Sequence, residues 1–225
     1  MSDEASMSDA QGRFLTIEGI EGVGKTTQLA RLSKILSDRG IAYVMTREPG
    51  GTPLAEKIRE LVLGSRGEAL PDTAELLLMF AARALHLRHF IEPNLAAGRW
   101  VLCDRFTDAT YAYQGAGRGL GDDPVRRLEL LVQGARRPDL TLLLDVPVAI
   151  GLQRARRRNA GTGIERPDED RFELQRAEFF ERVRAAYLAR AAAEPLRMAV
   201  IDAGRSADEV TEQIISVLRA RTWIS

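Results

Sequence analysis

Gly19-Ile-Glu-Gly-Val-Gly-Lys-Thr26 (GIEGVGKT) follows the apolar run Phe14–Glu18 (FLTIE) and opens a helical pattern. It fits G-x-x-x-x-G-K-[ST] in the strand–loop–helix setting that gives the pattern meaning. Its glycines let backbone N–H groups converge on phosphate oxygens, and the positive end of the following helix reinforces them. Lys25 then reaches the β/γ-phosphates and the Thr26 hydroxyl ligates Mg²⁺. Gly19, Ile20, Glu21, Gly22, Val23, Gly24, Lys25, Thr26 and Thr27 are therefore the candidate nucleotide-binding residues. The bland alternative is a glycine-rich strand-to-helix turn with a chance lysine.

Outward from this loop, β-rich runs at Phe14–Glu18, Ala42–Arg47, Arg99–Asp104, Leu140–Val146 and Met198–Asp202 alternate with helix-length stretches. Strands joined by such connections pair in parallel with right-handed crossovers, because a hairpin cannot join parallel neighbours. The expected fold is α/β, a doubly wound five-stranded parallel sheet with a short mobile lid. Ligands in such sheets sit outside the carboxyl ends of the strands, where Glu18, Arg47-Glu48, Asp104-Arg105 and Asp145 fall. Residues 1–12, without periodicity and with an internal Met7, read as a flexible leader, and 13–225 as a single domain. The stretch Gln153–Asp170 runs an arginine cluster into polar, glycine-containing sequence, and 153–171 is read as the lid.

Across 225 residues, 32 Lys+Arg balance 32 Asp+Glu. With no global field to attract a nucleic acid backbone or an anionic membrane, neither is an expected partner. No apolar run approaches the ~18 residues of a spanning helix, and the leader is acidic, so a cytoplasmic protein is expected. One cysteine, Cys103, cannot form an internal disulfide and reads as a small buried strand residue.

A GTPase carries N-K-x-D and a D-x-x-G downstream of its phosphate loop. The first is absent, and the one D-x-x-G, Asp9–Gly12, lies upstream. An ATP-driven motor needs elements that respond to hydrolysis, and little chain remains for them. A small-molecule kinase is the simplest reading. Asp104 can hold Mg²⁺ through water and Arg105 can fork a phosphate; a surface Asp–Arg ion pair is the alternative.

Taken with the phosphate loop, Thr46-Arg-Glu-Pro-Gly-Gly-Thr52, Met79-Phe-Ala-Ala-Arg83, Asp104-Arg-Phe106, Tyr113-Gln-Gly-Ala-Gly-Arg118 and Arg137-Pro-Asp-Leu-Thr141 resemble the bacterial thymidylate kinases, from about Phe14 to the C-terminal helix. The resemblance implies transfer of the γ-phosphate of ATP to thymidine 5′-monophosphate (dTMP), giving the diphosphate, with Mg²⁺, in a homodimer. It implies roles too: Phe80 stacked on the thymine, Arg83 donating to its O4, Thr110 at the pyrimidine edge, Tyr113 beneath the sugar, Glu21 near the 3′-OH. Glu48 and Gln114 fall within the same acceptor motifs. Tyr111 departs from the polar residue some relatives carry. Phe80 and Arg83 stand three apart on one helix, which suits a base site, although Leu76, Leu77, Met79 and Phe80 equally suit a helix core.

Phosphoryl transfer needs positive charge around the moving group, because the acceptor phosphate is already anionic. The variable loop positions Ile20, Glu21, Gly22 and Val23 are not basic, so the lid must supply an arginine. Arg154 and Arg156–Arg158 end one helix and Arg171 follows the loop; Lys25, Arg105, Arg154, Arg158 and Arg171 are the candidate catalytic residues, and at least half of the lid arginines are expected to be solvated or to hold the loop. The runners-up are another pyrimidine monophosphate kinase and a non-catalytic nucleotide-responsive module.

Overall fold

In the computed structural model, residues 12–64, 69–159 and 169–225 are described, without the side chains of 159 and 169–175. The elements are β1 Phe14–Glu18, α1 Lys25–Asp38, β2 Tyr43–Arg47, α2 Pro53–Leu63, α3 Asp72–His86, α4 Glu92–Ala96, β3 Trp100–Asp104, α5 Thr107–Thr110, α6 Asp122–Gln133, β4 Leu140–Asp145, α7 Val148–Asn159, α8 Glu169–Ala193, β5 Met198–Asp202 and α9 Ala207–Ala220. Stretches of π-helix, Leu87–Ile91 and Tyr111–Gly117, join α3 to α4 and extend α5.

The five strands form one all-parallel sheet in the order β2-β3-β1-β4-β5. Three strands are a residue shorter than expected. Ala42 lies just outside β2, yet its carbonyl still accepts from Trp100 N–H at 2.9 Å, an ordinary ambiguity of strand ends. The expected leader, apart from Gly12, and most of the loop inside the 153–171 lid lie outside the described residues.

The central strands β1, β3 and β4 are apolar on both faces because helices cover both, whereas the edge strands β2 and β5 leave Met45 and Val200 exposed. Side-chain alternation sorts β1 into two cores: Leu15 and Ile17 join Leu102, Leu142 and the α1 leucines Leu29, Leu32 and Leu36, while Phe14 joins Val101, Cys103, Phe106 and Ile91. Register agrees, with Phe14 opposite Val101 and Leu15 opposite Leu102. Between them Thr16, buried and opposite Thr141, shares a 2.8 Å hydroxyl–hydroxyl hydrogen bond with it. Asp108 accepts from Thr141 at 3.2 Å and from Arg197 and Arg190 at 2.7–2.9 Å, so this polar group in the core is fully partnered. Cys103 is buried, as expected, and burial pushes its thiol well above its ordinary value.

Helix α8 is fastened to the sheet through its C-terminal half. Arg184 makes a two-pronged 2.8 Å contact with Asp145, Tyr187 donates to Glu18 at 2.6 Å, and Arg190 reaches Asp108.

Candidate active site

The loop after β1 turns through Gly19, Gly22 and Gly24, all at positive φ, and Gly24 caps α1 in the left-handed region at φ 93°. A side chain at Gly22 would run into the carbonyl of Gly151 on α7, so this turn admits only glycine. Lys25, the first residue of α1, folds back to donate to the Gly19 and Ile20 carbonyls, 3.1 Å each. Burial, helped by the nearby Arg105 charge, pushes its ammonium down to about 7. Thr26 and Thr27 are exposed on the first turn. Glu21 pairs with Arg176 of α8 at 2.8 Å.

At the end of β3 the backbone bends through Arg105, a non-glycine residue at φ 69°. Its N–H donates to the Ile17 carbonyl at 3.0 Å, which ties it to the strand that carries the phosphate loop. Its guanidinium donates to the Tyr113 hydroxyl at 2.9 Å and the Tyr187 hydroxyl at 3.2 Å rather than pairing with Asp104. Burial opposes its charge, but Tyr113, Tyr187, Glu18 and Asp104 outweigh it and raise its pKa. Glu18 accepts from Phe106 N–H at 2.7 Å as well as from Tyr187; burial pushes its carboxyl up to about 7 despite Arg105. One carboxylate oxygen of Asp104, Oδ1, is buried without a partner.

Beside this bend lies a cavity of about 570 Å³, a size suited to a small organic ligand. Of the expected acceptor residues, Glu21, Glu48, Arg105, Tyr113 and Gln114 line it. Arg83 and Thr110 stand behind the wall, hydrogen-bonded to each other at 2.9 Å. Arg83 Nε also donates to Glu48 at 2.7 Å, and the other Glu48 oxygen meets His86 Nδ1 at 2.9 Å, so the buried acid is shared between two α3 side chains. Arg83 Nη1 and Gln114 Oε1 are buried and unpartnered.

Phe80, expected against the base, is not in the cavity wall. It packs with Leu76, Tyr111 and Val125 in a separate apolar cluster, and Met79 takes the lining position instead. Helix geometry gives the reason: residues four apart stack on one face more closely than residues three apart, so Glu75, Met79 and Arg83 form a single stripe and Phe80 turns away from it. The core alternative noted for Phe80 is the one realised.

The remaining lining side chains include Arg118, the last residue of the Tyr113–Arg118 motif, and Arg59, Arg176, Phe179 and Phe180, none of these four singled out from the sequence. Arg59 donates to the Pro49 carbonyl at 2.8 Å. The Tyr113 ring meets Phe179, Phe180 and Tyr187 edge-on with centroids 6.0–6.4 Å apart. Among the lid arginines, Arg154 donates to the Ala203 carbonyl after β5 at 2.8 Å, Arg158 is exposed, and the side chain of Arg171 lies outside the described residues.

A phosphate loop and an acceptor-sized cavity thus meet at the ends of β1 and β3, and similarity to known proteins follows the same lines. Residues 17–214 match the family model described as thymidylate kinase. The chain is 58% identical over 211 residues to the thymidylate kinase of Chromohalobacter salexigens, covering 93% of this chain and 96% of that protein. With that of Teredinibacter turnerae it shares 54% over 209 residues, 93% and 98% of the two chains. The chain belongs to the thymidylate kinase family. The crystal structure of thymidylate kinase from Ehrlichia chaffeensis superposes with a TM-score of 0.72 at 33% identity, covering 92% of this chain and 98% of that one. As a thymidylate kinase the protein phosphorylates dTMP to the diphosphate with ATP as donor. Among the described residues no helix is long and apolar enough to cross a membrane.

Proposed function

We propose that the thymidylate kinase reaction is divided between two walls of this cleft, with the acceptor nucleotide in the 570 Å³ cavity and the donor phosphates on the loop before α1. The observation that carries the division is the pair of buried, unpartnered groups Arg83 Nη1 and Gln114 Oε1. Buried polar atoms without partners are costly, and a donor and an acceptor are what thymine O4 and N3–H require. The base lies against Met79, the sugar against Tyr113, and the acceptor phosphate on Arg105 and Arg59. Lys25 leaves the Gly19 and Ile20 carbonyls to hold the donor phosphates. Arg176, on the cavity wall, and the arginines of the 153–171 lid are the charges available to the moving group, with Arg154, Arg158 and Arg171 in the lid. Glu21, facing Arg176 rather than the loop's own N–H groups, reaches towards the sugar side.

For Mg²⁺, the unpartnered Asp104 Oδ1 and the exposed Thr26 hydroxyl are fitting ligands. Among the described residues no group of three or more His, Cys, Asp or Glu could hold a metal, in keeping with an ion bound chiefly by phosphates and water with one or two protein oxygens. When bound, it neutralises charge on the phosphates. A homodimer is supported by exposed leucines on neighbouring helices, Leu77 on α3 and Leu130 and Leu131 on α6. A cytoplasmic location accords with the reaction and the single reduced cysteine.

The base placement is tested by titrating the enzyme with dTMP and with 5-methyl-deoxycytidine monophosphate, which share sugar, phosphate and methyl but reverse donor and acceptor at positions 3 and 4. Two opposed hydrogen bonds should weaken the second ligand by more than about 10²-fold. A ratio below about tenfold overturns the placement.

The Lys25 side chain provides a second check. Its ammonium, pushed down to about 7, is largely neutral in the free enzyme at pH 8. Anionic phosphates favour the charged form, so nucleotide binding there should take up a proton. Calorimetry of ATP binding at pH 8 in buffers of different ionisation enthalpy should report uptake of a sizeable fraction of a proton, absent in Lys25→Met. Equal uptake in that variant would move the titrating group elsewhere, with Glu18 the next candidate.

A further inference from the structure

The stripe that places Met79 in the cavity wall begins one turn earlier with Glu75, a residue outside every motif of the sequence. Glu75 is buried, and its two oxygens are both engaged: Oε1 accepts from Gln114 Nε2 at 2.8 Å and Oε2 from Arg118 at 3.1 Å. Asp72, one turn before, approaches the same guanidinium at 3.6 Å. Glu75, Gln114 and Arg118 all line the cavity, and Gln114 Oε1 is left buried and unpartnered.

A glutamine amide has a donor end and an acceptor end of nearly the same shape, and only its neighbours decide which end faces where. An ionised carboxylate accepts and never donates. With Glu75 salt-bridged to Arg118 on one side, the Gln114 amide must turn its NH₂ to Glu75, which leaves its oxygen free. We propose that Glu75 is a positioning residue that fixes the Gln114 amide with its oxygen towards the acceptor base, so that the site accepts a ring N–H and refuses a bare ring nitrogen. The inference rests on the base placement above and assigns its selectivity to a residue behind the contact. Arg83 needs no such device, since a guanidinium has no acceptor end to present.

The experiment measures kcat and KM for dTMP, and Kd for dTMP and 5-methyl-deoxycytidine monophosphate, in the parent, Glu75→Gln and Gln114→Ala enzymes. Glutamine at 75 keeps the shape but offers either end to Gln114, which frees that amide to flip. In Glu75→Gln, KM for dTMP should rise about tenfold with kcat within about threefold of the parent, and the Kd ratio of the two ligands should shrink by about tenfold. A merely structural Glu75 would lower activity without changing that ratio. Thermal unfolding of Glu75→Gln within a few degrees of the parent ensures that the folded enzyme is being compared. If the parent discriminates strongly and Gln114→Ala loses the discrimination while Glu75→Gln keeps it, Glu75 has no positioning role. If the parent itself fails to discriminate, the base placement falls and the inference with it.

Discussion

Replacement of Lys25 by alanine is expected to lower kcat by about 10³-fold, the scale set by removing one hydrogen-bond donor and positive charge from a developing anion. The lysine is built into the loop, folded onto the Gly19 and Ile20 carbonyls at 3.1 Å, and no other lysine or arginine lies between Gly19 and Thr27. Its loss should weaken ATP binding and leave dTMP binding within about threefold. Titration of the variant with each nucleotide separately makes the check. Unaltered ATP affinity with a large loss of dTMP affinity would exchange the two walls of the cleft.

Arg105→Ala should have a comparable effect from the opposite side, with kcat/KM for dTMP down by about 10³-fold and the Kd for ATP little changed. The guanidinium is held by Tyr113 and Tyr187 and raised in pKa by its neighbours, so it is a fixed positive charge. Its backbone offers a control. At φ 69° a side chain other than hydrogen is strained, and alanine retains that strain while glycine relieves it. Arg105→Gly should therefore unfold at a higher temperature than Arg105→Ala while being equally inactive. If the glycine variant recovered activity, the strained backbone rather than the charge would be the catalytic element.

What the sequence made legible was whatever lies close together along the chain. The phosphate loop is one contiguous stretch whose glycines have no use apart from their backbone angles, and the five strands announce themselves as short apolar runs between helical patterns. The acceptor wall is assembled from α3, the bend after β3 and α8, segments about 100 residues apart, and here local reading faltered. The resemblance and an aromatic ring three residues from a guanidinium point to Phe80, yet the four-residue spacing to Arg83 brings Met79 into the wall instead. Glu75 extends the same stripe and was open to discovery by counting back four more residues. Arg59 and Arg176 had no such signal: each is one arginine among many, and only tertiary packing brings Arg176 to Glu21 and both arginines to the cavity wall. The lid arginines were legible as a cluster, but which of them serves the reaction is not a property of spacing. Arg154, for one, is engaged with the Ala203 carbonyl.

The hydroxyl pair Thr16–Thr141 bears on how this chain avoids a wrong answer while folding. Every other β4 neighbour of β1 is apolar, so a β1 displaced by one residue along β4 would still find greasy company, apart from the Thr16 hydroxyl, which loses its partner while Thr141 keeps Asp108 and Arg197. That stranded hydroxyl costs roughly 1–3 kcal/mol, a sizeable share of a net stability of about 5–15 kcal/mol. One step of slippage carries the end of β1, and the phosphate loop with it, by roughly 3.3 Å, whereas reacting atoms must lie within about 3–3.5 Å of each other and in line. Two small side chains in the interior thus act as an alignment mark, discarding misthreaded sheets whose chemistry would never reach from one nucleotide to the other.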